Sequence, residues 1–256
     1  MSNVFVVNAA ADPLSDKDPR LAYASLASTA TTVTASHDTS GAAYTYDGMT
    51  TLKWRPANAT PSIQFDGTFA DTDYCAIAGA NWASAGCTVT VKDSGGNTLG
   101  STSGMLDNQP VFFVFDKGTY STIEIEFSCS NTLLEVGEIY FGKSMLFPRN
   151  VSVGYKPGRW DSNDKITTGM TESNQFAGST VRARGTTEIF KIDLVATSFL
   201  EDEYKSFVRA ARGVPVFFLW NKNEAQQAVF GVWDAQPPTF SSSLFGSISL
   251  TINGVA

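Results

Sequence analysis

Alternation of apolar and polar residues constrains this chain most, because it recurs in short runs from residue 21 to residue 141, where no helical period persists. Alternation places every second side chain on one face, as in a half-buried β-strand. Clear runs of this kind are Ser62–Phe65, Thr88–Val91 and Thr122–Phe127. Val111–Phe115 is almost entirely apolar, which favours a strand buried on both faces. Asp93–Asn97 has the composition of a hairpin turn. The first half is therefore predicted to be a β-sandwich.

The pattern of apolar and polar residues changes in the second half of the chain. The change falls between Gly142, which permits a bend, and Pro148, which cannot continue a sheet ladder. A polar, glycine-rich stretch at residues 150–185 comes first. One helix is predicted over Phe199–Arg212, with Ser198 as its N-cap and an apolar stripe on one face. The predicted strands are Thr186–Val195, Val216–Trp220, Ala228–Trp233 and Gly246–Ile252. These elements predict an α+β module, an antiparallel sheet with one helix.

Charge and composition exclude several functions. The net charge is −7, and only 17% of the residues are charged. Nucleic-acid binding is not expected, because phosphate recognition needs clustered Lys and Arg. No apolar run approaches the ~18 residues of a membrane span, and the N-terminus lacks the basic and apolar regions of a signal peptide. We expect a protein made in the cytosol, without membrane insertion.

The three cysteines, Cys75, Cys87 and Cys129, have no spacing typical of a metal site or a redox pair. Each adjoins an apolar run, so the simplest interpretation is a small buried side chain. A Cys75–Cys87 disulfide is an alternative in an oxidising compartment.

The segment Tyr44–Pro56, with Asp47, Gly48, Trp54 and Arg55, resembles the loop-and-strand signature of discoidin-type (coagulation factor 5/8 type C, galactose-binding-like) jelly rolls. Asp73–Gly79 looks like the family's next strand, and Leu133–Phe141 looks like its closing strand. The resemblance implies an N-terminal jelly roll, whose ligands are bound on loops at one end. The cysteines depart from the family, because Cys75 and Cys129 do not occupy the terminal positions where many secreted members form a disulfide.

Within this resemblance, Asp47 and Gly48 are expected to form a tight turn. Trp54 is expected in the core, with sugar stacking as the alternative. Trp82, beside Asn81 in a small-residue loop, is the better candidate for glycan stacking. Three carboxylates, Asp66, Asp71 and Asp73, could together bind calcium, but solvated loop carboxylates are the preferred interpretation. Neither a metal nor a cofactor is therefore expected.

A second resemblance, to the minor and distal tail proteins of long-tailed bacteriophages, covers roughly the whole chain. It is carried by Gly142–Arg149, Gly213–Trp220 and Ser247–Gly254. It implies an oligomeric ring at the tail tip of a virion, assembled in the bacterial cytoplasm. The implied partners are other copies, other tail proteins and host-surface polysaccharide.

The expected domains are an N-terminal arm at residues 1–20, a jelly roll at 21–146 and an α+β tail-assembly module at 147–256. Residues 150–185 are either an inter-subunit arm or a long local hairpin. Their scattered apolar side chains favour contact with a neighbour: Tyr155, Trp160, Met170 and Phe176.

No catalytic pattern stands out. His37 is the single histidine, and no nucleophile elbow, phosphate loop or zinc spacing occurs. We therefore expect a non-enzymatic assembly protein. A soluble lectin-like protein is the first alternative, and a hydrolase with a discoidin accessory domain is the second.

Overall fold

The computed structural model describes residues 17–102, 107–130, 133–157, 165–170, 176–182 and 187–254. The protein is mainly β, with curled antiparallel sheets and one substantial helix, as the sequence predicts. In chain order the strands are β1 Arg20–Ala22, β2 Thr32–Ala35, β3 Ser62–Ala78, β4 Cys87–Asp93, β5 Thr98–Ser101, β6 Val111–Cys129, β7 Glu138–Gly142, β8 Met145–Leu146, β9 Lys165–Met170, β10 Phe176–Arg182, β11 Thr187–Ala196, β12 Val216–Leu219, β13 Ala228–Ala235, β14 Thr239–Phe240 and β15 Phe245–Gly254.

Shorter helical elements lie in the loops. Ala27–Thr29, Gly41–Thr45 and Ala225–Gln227 are 3-10 turns, and α1 spans Trp82–Ala85. None of the helices in the described part of the chain has both the length and the apolar character that a membrane crossing needs.

The first sheet has the order β2-β3-β6-β4-β5, and β7 pairs with the far half of β3. Its two central strands are longer than the sequence predicts, because each joins two predicted runs into one curled strand. Their pairing shifts register between Asp66 and Tyr74, so the ladder bends there and the sheet folds over its own core. Inward-facing residues from both halves bury a single apolar cluster, in which Ile63, Phe65 and Phe141 are fully buried.

The second half of β3, the start of β6 and the whole of β7 are buried on both faces. Cys75 and Ile77 face the sandwich core, whereas Tyr74 and Ala76 face the second sheet. This explains the continuous apolar run at the start of β6, since a strand covered on both sides has no solvent face.

The second sheet has the order β11-β15-β13-β12-β1-β8, and β14 pairs with β15. Strands β1 and β8 therefore belong to this sheet, although the predicted jelly roll at residues 21–146 includes both. The sequence boundary differs because β1 and β8 are too short to show a pattern, and pairing with β12 decides where β1 lies. Both faces of β12 are buried, so the two sheets share an apolar layer that includes Phe112, Tyr140, Phe217 and Phe230.

The long helix, α2, covers residues 197–210. It has a π-helical stretch at Leu200–Tyr204 between two α-helical stretches, Thr197–Phe199 and Lys205–Ala210. Ser198 lies inside the helix, so its predicted role as N-cap is wrong. The chain passes from β11 straight into α2, and Thr197 holds the junction by donating its backbone N–H to Leu244 O and its hydroxyl to Ser243 O.

Cys87 and Cys129 form a disulfide between adjacent strands, while Cys75 is a buried free thiol. The Cys75–Cys87 alternative is wrong because β4 pairs with β6, which places Cys87 directly opposite Cys129.

Candidate functional site

Trp54 organises the loops at one end of the jelly roll. Its side chain is fully buried in the first core, which confirms the expected core position. Its backbone exchanges two hydrogen bonds with Val136 (2.9 and 3.0 Å), and its indole Nε1–H donates to His37 O at 2.9 Å. One buried ring therefore fixes the loop before β3, the segment before β7 and the loop after β2 relative to one another.

His37 and Asn58 are in contact at the protein surface, next to the loops that Trp54 fixes. The Asn58 amide nitrogen lies 3.2 Å from His37 Nε2, and the Ser36 hydroxyl lies 3.2 Å from His37 Nδ1. The His37 ring is exposed and Asn58 is half-buried. Both ring nitrogens of His37 are thus engaged by protein groups, while the Asn58 amide has more donors and acceptors than these contacts use.

Arg55 and Glu135 form the second part of the cluster. Arg55 Nε pairs with Glu135 Oε1 at 2.9 Å, and Lys53 Nζ lies 3.4 Å from Glu135 Oε2. The Arg55 backbone N–H points to Asp38 Oδ2 at 3.4 Å. The Arg55 side chain is 67% exposed, so most of its guanidinium donors remain available to a ligand.

Asn81, a predicted glycan contact, instead positions the loop that carries Glu135. Its amide nitrogen donates to Leu133 O, and its amide oxygen accepts the Glu135 backbone N–H, both at 2.7 Å. Asn81 therefore lies next to the cluster, but its side chain is used within the protein. We assign it a positioning role.

Trp82 is fully buried at the start of α1, so the expectation of an exposed stacking ring is not met. The backbone N–H groups of Ala83 and Ser84 bond to Asn108 Oδ1, and this anchors the turn with the Trp82 ring facing the core. Exposed large apolar side chains occur instead on the loop before Trp54: Tyr44, Met49 and Leu52.

Asp47 and Gly48 form the tight turn that the sequence predicts. Asp47 Oδ1 accepts the Met49 N–H at 2.8 Å, and Gly48 has a φ of 83°, which favours glycine. The turn approaches Glu138, a fully buried carboxyl at the start of β7. Burial and, secondarily, the nearby Asp47 charge raise the pKa of Glu138 to about 8.

Neither Glu138 carboxylate oxygen has a hydrogen-bond partner of normal geometry among the residues described. A buried carboxyl with a pKa raised in this way holds its proton at neutral pH, which avoids the cost of an unpaired buried charge. Nowhere in the described ranges do three or more His, Cys, Asp or Glu side chains form a metal-binding group.

The three aspartates considered for calcium are all bonded to other protein groups. Asp66 accepts hydrogen bonds from Gln64 and Thr122, Asp71 pairs with Lys117, and Asp73 pairs with Arg20 and Ser144. The preferred interpretation of solvated loop carboxylates is therefore wrong for Asp73, which is buried, and all three residues lie within β3.

The assembly arm is described in part. Tyr155 packs against Trp220 with ring centroids 5.8 Å apart, and its hydroxyl bonds to Glu188, so it makes contacts within its own chain. Met170 and Phe176 are register partners in the backbone pairing of β9 with β10. Trp160 lies outside the described residues.

A shallow polar groove of about 300 Å³ begins beside the cluster, on the outer face of the first sheet. The Thr60 N–H donates to Asn58 Oδ1 at 3.2 Å, which connects the groove to the cluster. Its other lining residues are Ser62, Thr88, Thr90, Glu126, Phe127 and Ser128. Most of this lining consists of hydroxyl groups, which both donate and accept hydrogen bonds.

Sequence reasoning identified Trp54 and Arg55 but missed the groups around them. His37 was considered only as a catalytic base, and Asn58 carried no motif. Lys53 and Glu135 lie in the segments Tyr44–Pro56 and Leu133–Phe141 that carry the resemblance, but neither was assigned to a ligand site. The available signal was that the predicted core residue Trp54 is flanked by the cationic residues Lys53 and Arg55, since the neighbours of a buried residue in an extended segment point the opposite way.

No protein-family model matches the chain. No curated protein matches it either. Among solved structures, chitosan-binding module 1 of a chitosanase/glucanase from Paenibacillus sp. IK-5 is 18% identical, with a TM-score of 0.36, over 46% of this chain and 98% of that one. A Streptococcus pneumoniae fucose-binding module is 12% identical, with a TM-score of 0.36, over 46% and 96%.

A Clostridium perfringens module in complex with GalNAc-β-1,3-galactose is 13% identical, with a TM-score of 0.37, over 46% of this chain and 99% of that one. Identities and TM-scores this low do not carry a ligand or an activity over to this chain.

Proposed function

We propose that this protein binds carbohydrate through the cluster formed by His37, Asp38, Lys53, Arg55, Asn58 and Glu135. The single observation that carries the proposal is that these planar and charged side chains are fixed around the buried Trp54 while keeping exposed hydrogen-bonding groups. Sugar hydroxyls both donate and accept, so they need a mixed set of donors and acceptors held in place before binding.

The charge balance of the cluster suits a neutral sugar. Lys53 and Arg55 are offset by Asp38 and Glu135, and the two cations both contact the Glu135 carboxylate. A strongly anionic ligand would have to compete with Glu135 for the same guanidinium and ammonium groups. We therefore expect neutral glycans to bind better than sulfated or uronic-acid glycans of the same length.

A printed array of neutral and acidic glycans tests the proposal. Wild-type protein should bind a subset of neutral glycans, and Arg55→Ala and Asn58→Ala should each weaken binding about tenfold or more, because each removes a positioned polar partner. Arg212→Ala is the matched control, since Arg212 is an exposed arginine in the turn after α2. Binding that is unchanged in the first two variants, or no glycan binding at all, would refute the proposal.

A bacteriophage tail-tip subunit is the second candidate, in which the protein forms a ring in the virion and contacts host polysaccharide. The observation that favours it is the β9–β10 hairpin, which forms a separate two-stranded sheet in the described structure. Among the described strands, β9 and β10 pair only with each other, so their outer edges could pair with a neighbouring subunit. Native mass spectrometry of the whole chain distinguishes a closed ring from a monomer.

A further inference from the structure

A groove on the second half of the protein lies outside the candidate carbohydrate site. It has a volume of about 340 Å³ and runs along α2, facing the chain around β14. Three apolar side chains one helical turn apart form its floor and near wall: Leu200, Tyr204 and Val208. Pro238 and Phe240 form the opposite wall, and Phe240 remains 54% exposed. Walls of this kind suit the apolar body of a small ligand.

Charged residues follow the same helix along one rim of the groove. Glu201, Lys205 and Arg209 are spaced one turn apart and are all exposed. Neither Lys205 nor Arg209 has an ion-pair partner within the parts of the chain that the structure covers. With one carboxylate against two cations, the rim is complementary to an acidic head group placed at its Lys205–Arg209 end.

Two further features of α2 lie along the same groove. The π-helical stretch Leu200–Tyr204 coincides with the floor of the groove, and such stretches within α-helices are frequent at functional sites. The Tyr204 hydroxyl is buried and makes no hydrogen bond to any described group. Burial raises the pKa of Tyr204 well above its usual value, so this hydroxyl stays a potential donor. An unpartnered buried donor is costly, and a ligand oxygen is one means of satisfying it.

We propose that this groove binds a small amphipathic carboxylate, with its hydrocarbon part between α2 and Phe240 and its carboxylate at Lys205 and Arg209. The volume lies within the usual range for small-molecule sites. Ligands of about ten heavy atoms gain only a few kcal/mol, so weak binding is expected. The site is separate from the proposed carbohydrate cluster and does not depend on it.

Octanoate is the probe, and 1-octanol is its uncharged counterpart. Saturation-transfer NMR titrations on the whole chain should give tighter binding for octanoate than for octanol. Lys205→Gln and Arg209→Gln should each weaken octanoate binding by a factor of about two to five, as expected for an exposed charge pair. Arg212→Gln makes the same charge change one turn further on and should have no effect.

Filling or opening the groove gives an independent check. Val208→Trp should abolish binding of both probes, and Phe240→Ser, which removes the exposed wall, should weaken both without disturbing the core. The melting temperature of each variant shows whether it is folded. The proposal is overturned if octanol binds as well as octanoate, if Arg212→Gln matches Arg209→Gln, or if Val208→Trp and Phe240→Ser leave binding unchanged. It is also overturned if sedimentation shows a dimer that neither probe binds, since the groove would then be a subunit contact.

Discussion

At the residue scale, the function proposed for this protein depends on Trp54. The Trp54 side chain is fully buried, and its indole N–H donates to His37 O. The Trp54 backbone pairs with Val136. Trp54 therefore stabilises the sandwich and positions the polar cluster at once. The first role was predicted from the usual burial of aromatic side chains and from the jelly-roll resemblance. The second could not be predicted, because His37 lies 17 positions away along the chain.

Trp54→Ala should destabilise the protein by about 3–5 kcal/mol, since it leaves a large cavity in the first core. Trp54→Phe should cost less and keep the core filled, while removing the hydrogen bond to His37. Urea unfolding measures both changes. A Trp54→Ala variant as stable as wild type would contradict the central position of this ring.

Glu138 should make stability depend on pH. Its pKa is raised from 4.5 to about 8 in the folded protein, so the folded state holds a proton that the unfolded chain releases. Its contribution to stability is therefore fully present below pH 4.5 and is lost as the pH rises to about 8. In EDTA, Glu138→Gln should flatten this part of the stability curve relative to wild type. A curve that keeps the same slope in the variant would show that another group titrates.

At the element scale, the strands show how much secondary structure the alternation of apolar and polar residues can predict. Alternation located most of the sheet-forming runs and the Asp93–Asn97 turn, where Asp93 Oδ1 accepts the Gly95 and Asn97 N–H groups. It split β3 and β6 in two, because the register shifts in mid-strand interrupt the period of two. It missed β1 and β8 because their placement depends on distant partners. The helix was found, but its start moved to residue 197 when tertiary hydrogen bonds replaced the predicted side-chain cap.

The disulfide between β4 and β6 should contribute about 2–4 kcal/mol, because it closes a 42-residue separation in the unfolded chain. We expect the Cys87→Ala, Cys129→Ala double variant to show this loss in urea unfolding. Cys75→Ala is the control for the third cysteine, and Ellman's reagent should detect one thiol in denatured wild-type protein. Three reactive thiols would mean that the bridge does not form.

The β9–β10 hairpin should be dispensable for folding but not for assembly. Deleting residues 165–182 and joining the ends with a short Gly-Ser linker leaves intact the two large sheets, the core of the first sheet, the apolar layer that the sheets share and the apolar cluster between the second sheet and α2. We expect a folded monomer with a near-native melting temperature. If the intact chain forms a ring and the deletion variant forms the same ring, the hairpin is not an inter-subunit arm.

At the scale of the whole molecule, the two halves share one apolar layer, which the sequence could not show. Phe217 contacts Phe112 and Tyr140, with ring centroids 6.5 and 5.2 Å apart, so strands from both sheets interdigitate. The sequence treated the halves as separable because pairing and packing between distant segments leave no local signal. The shared layer predicts that the two halves unfold cooperatively, so a calorimetric scan of wild type should show one transition. Phe217→Ala should lower the melting temperature and begin to split this transition into two, one for each half.

The carbohydrate cluster is the central claim, and the Trp54 indole N–H is its most direct reporter. The chain has five tryptophans, so a nitrogen-15 correlation spectrum has at most five indole signals. The signal that is missing from the spectrum of Trp54→Phe belongs to Trp54. Titration with the best neutral glycan from the array should shift the Trp54 indole signal, because its acceptor is the carbonyl of His37. The backbone signals of Arg55, Asn58 and Glu135 should move with it. A titration that saturates while these signals stay in place, or that moves only signals of the second half, would contradict the account.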